Sequence, residues 1–64
     1  MTCTILTTSN PGEIQKLIAK NGGYILSVEK CDHTHGAHYF KFKCAAEKLD
    51  TIKSALARFY YFGF

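Results

Sequence analysis

Apolar residues recur along the chain with two different periods, and the changes of period mark the elements. Over Thr2–Thr8 (TCTILTT) the repeat is two, with Cys3, Ile5 and Thr7 on one side. Over the following segment it is helical, with Ile14, Leu17 and Ile18 forming an i, i+3, i+4 stripe. From Tyr24 to Cys44 the period returns to two on either side of Asp-His-Thr-His-Gly, which predicts a β-hairpin with a histidine-rich tip. A second helix is expected from about Ala45 to Tyr60, where Leu49, Ile52, Leu56 and Phe59 make a core-facing stripe. The chain closes on Phe59-Tyr60-Tyr61-Phe62-Gly63-Phe64. This tail reads either as a short last strand against the first or as a collapsed aromatic plug.

Local chemistry supports these boundaries. Asn10 is a good N-cap, Pro11 suits the first helical position, and Glu13 stands where a capping box places its carboxylate. Asn21-Gly22-Gly23 ends that helix in left-handed backbone. Glu47 and Asp50 sit near the positive end of the second helix dipole, and Arg58 near the negative end. In the hairpin, Leu26 opposite Phe42 and Val28 opposite Phe40 make one face apolar. The other face then pairs Ser27 with Lys41 and Glu29 with Tyr39, each pair contributing roughly 0.2–1 kcal/mol. The order β-α-β-β-α with a final β predicts an α+β, ferredoxin-like two-layer sandwich of one domain, residues 1–64. Its antiparallel sheet carries both helices on one face, and the second hairpin strand lies beside the first strand of the chain.

Composition narrows the function. Hydrophobic residues make up 47% of the 64 and aromatics 14%, enough for a compact fold. A core this small yields only about 3–5 kcal/mol of net stability. The net charge of +3 is mild, and its lysines and arginine are scattered rather than run together. The cysteines Cys3, Cys31 and Cys44 follow no spacing motif, which favours small buried thiols in a reducing compartment over a disulfide scaffold. No signal peptide is visible, and no apolar run approaches the roughly 18 residues of a membrane span. The expectation is a soluble, cytoplasmic protein without membrane contact.

Candidate chemistry is sparse. Cys31, Asp32, His33, His35 and His38 form the one dense cluster of metal-ligating types. Cys31, His33 and His35 would share a face of an extended strand, and the competing readings are a solvated polar turn and a tip made pH-sensitive by its histidines. Nothing in the chain forms an oxyanion site, a phosphate-cradling glycine loop or a Gly-x-Gly-x-x-Gly turn, so no catalysis and no cofactor is expected. The wet sheet face offers Tyr39, Lys41 and Lys43 with Lys30 nearby, a candidate RNA or DNA surface on a topology shared with RNA-recognition domains. That strand lacks their Gly-aromatic-Gly spacing, and an ordinary solvated face is the competing reading. The Tyr24–Lys30 arm should be a sheet edge, open to pairing with another chain.

The Asn10-Pro11-Gly12 turn after a strand, Gly22-Gly23-Tyr24-Ile25-Leu26, a hairpin with a polar tip, and His38-Tyr39-Phe40-Lys41-Phe42 together resemble an ACT domain. The resemblance is nearest to those that precede formyltetrahydrofolate-deformylase catalytic domains, and it covers most of the chain. It implies a homodimer that binds a small effector such as an amino acid near Asn10, Pro11 and Gly12.

The leading expectation is a non-catalytic regulatory or inhibitory module that docks onto a larger protein partner, of the kind phages use against host machinery. Ile25, Ser27, Glu29, His33, His35, Tyr39, Lys41 and Lys43 are its candidate contact residues, together with the aromatic tail.

Overall fold

The computed structural model describes residues 1–63. Four strands and two helices follow in the order β1 (Thr2–Thr7), α1 (Pro11–Lys20), β2 (Tyr24–Lys30), β3 (His38–Lys43), α2 (Leu49–Leu56) and β4 (Tyr61–Gly63). The sheet order is β2-β3-β1-β4, with every neighbouring pair antiparallel. This is the ferredoxin-like sandwich expected from the sequence, with β3 seated between β1 and β2.

Alternation decides which side of the sheet is dry. Cys3 and Ile5 on β1 lie opposite Phe42 and Phe40 on β3, and directly paired residues project from the same face. Ile14 and Ile18 from α1 and Ile52 and Leu56 from α2 complete this core, and Cys44 joins its edge. Phe40, Phe42, Ile5, Ile14, Ile18, Ile52 and Leu56 are all fully buried. A fully buried side chain of this size contributes about 1.5–3 kcal/mol, so each is a large share of a small domain's stability.

α1 begins and ends as its caps dictate. The Asn10 side chain accepts the Glu13 N–H at 3.2 Å, and Pro11 opens the helix. At the other end Gly23 N–H donates to the Ile18 carbonyl at 2.8 Å and Gly22 N–H to Ala19 at 3.3 Å, the paired bonds of a Schellman motif. Gly22 supplies the required positive φ of 98°. Gly23 has a different constraint: a Cβ there would fall onto Ile18 Cγ2 and approach Ile52 Cδ1 to 3.3 Å.

Three expectations need correction. Leu26 does not oppose Phe42. Ile25 does, and the register slips by one residue between Ile25 and Ser27 while Ser27–Lys41, Val28–Phe40 and Glu29–Tyr39 pair as expected. The extra residue is a β-bulge, which puts Ile25 and Val28, three apart, on the same side and leaves Leu26 44% exposed. The second correction concerns α2, which is shorter at both ends. Its entry is a 3-10 turn over Ala46–Lys48 with no side-chain cap, because Ala45 has no oxygen to offer. Its exit is Leu56, after which Phe59 N–H bonds back to the Leu56 carbonyl at 2.9 Å in a tightened turn. Phe59 therefore packs on the core from the turn rather than from the helix stripe. Arg58, in turn, lies beyond the helix, with its guanidinium 5.2 Å from the Phe59 ring centroid.

The aromatic tail is a strand. Tyr61 pairs with Thr7, Phe62 with Leu6 and Gly63 with Ile5; Phe64 lies outside the described residues. The buried Thr7 hydroxyl fixes the approach, donating to the Tyr60 carbonyl at 2.8 Å and accepting the Ser9 N–H at 3.2 Å.

The close approach at Gly23 makes a specific prediction. Gly23→Ala should destabilise the fold by about 1–3 kcal/mol in urea titrations. In an Ile18→Ala background, which removes the obstructing methyl, the same substitution should cost measurably less.

Candidate binding surface

Both helices cover one face of the sheet, and the other is open. Its side chains follow from the register in three rows. The first runs Glu29, Tyr39, Leu6 and Phe62 across all four strands. The second holds Ser27, Lys41 and Thr4, and the third Tyr24, Lys43 and Thr2. Aromatic rings therefore stand in the first and third rows, and lysines in the second and third.

The rings on this face are unusually accessible: Tyr24 is 63% exposed, Tyr39 39% and Phe62 61%. Tyr60, just before β4, is 69% exposed and meets Phe62 edge to face at 5.2 Å. The Lys43 ammonium lies 5.4 Å from the Tyr24 ring centroid, a cation–π contact that holds both side chains over the third row. At the far end, Leu6, Thr7, Thr8, Thr34, Ala37, Tyr60 and Phe62 line a groove of about 210 Å³ between the β1–β4 end and the hairpin tip.

Of the contact residues expected from sequence, Ser27, Glu29, Tyr39, Lys41 and Lys43 come together here. Ile25 does not. The bulge turns it to the helix-covered side, where it packs partly buried against the core. His33 and His35 sit exposed in the tip, apart from the three rows. Tyr24 and Leu6 are additions, and Tyr60 and Phe62 are the residues by which the expected aromatic tail takes part. Leu6 is implied by its odd-even relation to Ile5, whereas Phe62 joins the face only once the tail is a strand.

The tip is not an extended segment. Cys31 N–H bonds to the Ala37 carbonyl at 2.9 Å and Ala37 N–H to Thr34 at 3.1 Å, closing a compact loop. This turns Cys31 inward to 4% exposure while His33 and His35 point to solvent. The candidate convergence of Cys31, His33 and His35 on one ion is not formed: no group of three such ligands comes together among the described residues. His38 packs against Phe40 with ring centroids 6.4 Å apart, and its Nδ1 is buried without a hydrogen-bond partner. Asn10, Pro11 and Gly12 occupy the first turn of α1, with the Asn10 side chain committed to capping.

The thiols differ in their surroundings. Burial raises the Cys31 pKa, but amide N–H groups of His33 and Thr34 and the hydroxyls of Tyr39 and Thr34 outweigh it and hold the thiol below its ordinary value. Tyr39 is raised in turn, chiefly through its hydrogen bond to Cys31. Cys3 is raised by burial and by the adjacent Cys44. All three cysteines are free and buried, as the composition implied.

Comparison with protein-family models, curated proteins and solved structures returns no match. Among the described residues, no helix is long and apolar enough to cross a membrane.

The raised Cys3 pKa sets a pH dependence. A thiol harder to ionise in the folded state than in the unfolded chain stabilises the fold below the ordinary thiol value of 9.0, and that contribution is lost as pH rises through the folded value. Thermal or urea unfolding of Cys3→Ala should therefore show a shallower alkaline loss of stability than the unsubstituted protein. The slopes should differ by at most about 1.4 kcal/mol per pH unit.

Proposed function

We propose that this protein is a small non-catalytic regulatory or inhibitory module that works by docking the open face of its sheet onto a larger partner with an acidic surface. The carrying observation is the face itself: exposed Tyr24, Tyr39 and Phe62 rings interleaved with Lys41 and Lys43 on the side that no helix covers. Aromatic side chains bring large contact area at low entropic cost, and the lysines set the sign of the complementary surface.

The same geometry speaks against self-pairing. A two-fold contact between two open faces would bring the lysine pair of one copy toward that of the other. The β2 edge is also blunted, because the Leu26 bulge interrupts the ladder that a second chain would extend. Light scattering on a sizing column at about micromolar concentration should return a monomer. A dimer would instead favour the ACT-like reading, with a small effector held near Asn10, Pro11 and Gly12.

Site-specific photo-crosslinking tests the docking face directly. A benzoylphenylalanine at Tyr39 or Phe62 should give discrete high-mass adducts in the cell, whereas one at Lys16 on exposed α1 should not. Lys41→Glu should weaken the adducts from the sheet positions. Adducts from Lys16 alone would place the working surface on the helical layer and overturn the proposal.

A further inference from the structure

We infer that the acidic partner of the open face is single-stranded nucleic acid, with bases stacking on Tyr39 and Phe62 while Lys41 and Lys43 take the phosphates. This rests on the open-face reading above and names the chemistry of its partner.

Three observations carry it. First, the most exposed apolar side chains of the three rows are rings, with half-exposed Leu6 and the bulge residue Leu26 at the β2 margin the aliphatic members. Flat rings suit planar bases, and stacking tolerates any sequence because every base presents a π-face. Tyr39 and Phe62 lie on strands separated only by β1, so their backbones are about 10 Å apart across the sheet. Second, hydroxyls stand beside the lysine and the rings: Ser27 and Thr4 flank Lys41, and Thr8 and Thr34 rim the groove beside Tyr60 and Phe62. They can pair with base edges that a single strand leaves open. Third, the charge is positive but thin. Two lysines on the face are too few to hold a duplex by its backbone alone, since that mode of binding rests on many phosphate contacts. Affinity on this surface must come mainly from exposed bases.

Glu29 sets the path. It stands beside Tyr39 on the outer strand, where its carboxylate repels phosphate. The backbone is thereby steered from Phe62 past Lys41 toward Lys43 and Tyr24, away from the β2 end of the first row.

Fluorescence anisotropy with a labelled oligouridine of about ten nucleotides tests the inference. The full chain should bind the single strand more tightly than the corresponding duplex. Tyr39→Ala and Phe62→Ala should each weaken binding by about five- to a hundred-fold, with circular dichroism confirming the fold, whereas Tyr39→Phe should retain it. Contacts from two lysines predict about a sevenfold loss between about 50 and 200 mM salt, and Lys41→Gln should flatten that dependence. No anisotropy change at the highest soluble concentration would overturn the inference, as would equal binding of duplex and single strand unaffected by the ring substitutions. The adducts formed at Tyr39 and Phe62 separate this failure from that of the docking face. Nuclease-sensitive adducts support the inference. Adducts sensitive only to protease overturn it and leave docking to a protein, and no adduct at either position overturns both readings.

Discussion

The burial of Phe40 and Phe42 is the interaction on which the rest of the molecule depends. Both sit on the central strand, fully enclosed beneath the isoleucines of α1 and the Ile52 and Leu56 pair of α2. Because the side-chain period of a strand is two, fixing these rings on the dry side commits Tyr39, Lys41 and Lys43 to the opposite side. The open face is thus a geometric consequence of the core. A one-residue slip of β3 would invert both at once, so selection on the core also holds the surface in place.

A domain of this size that leaves several aromatic rings in water forgoes burial it could use. Its helical layer covers one side of the sheet, and among the described residues the most exposed rings gather on the other. Exposed apolar groups gathered on one face among charges are characteristic of surfaces that meet something else. Thiols, histidines and helix caps, by contrast, are all committed internally or turned to solvent singly. The inward-turned Cys31, the packed His38 and the capping Asn10 serve the fold's own geometry.

Much of this was legible in the sequence because short-range rules governed it. The Asn10-Pro11 start and the Asn21-Gly22-Gly23 stop delimit α1 through capping chemistry that acts within a single turn. The alternation of β3 assigned its two faces without further information. The misses came where two local signals competed. Ile25 and Leu26 are both good apolar strand residues, and alternation counted back from Val28 selects Leu26. The i, i+3 spacing of Ile25 and Val28 is the signature of the bulge instead. The helical stripe runs on to Phe59, but pairing of Tyr61–Gly63 with β1 draws the chain out of the helix after Leu56. The layout of the open face was only half visible for the same reason, since Phe62 and Tyr60 take their places on it through a strand pairing that is distant in sequence.

The bond from the Thr7 hydroxyl to the Tyr60 carbonyl has a further consequence. It joins the end of the first strand to the start of the last, and together with the short β1–β4 ladder it places the groove walls Tyr60 and Phe62. β4 is a three-residue strand at the sheet margin, the kind of element that opens locally at low free-energy cost. Occupancy of the groove and docking of the tail are then thermodynamically linked. A ligand filling the groove would draw the terminal strand onto the sheet, and a change that loosened that strand would weaken such a ligand without touching any residue in contact with it.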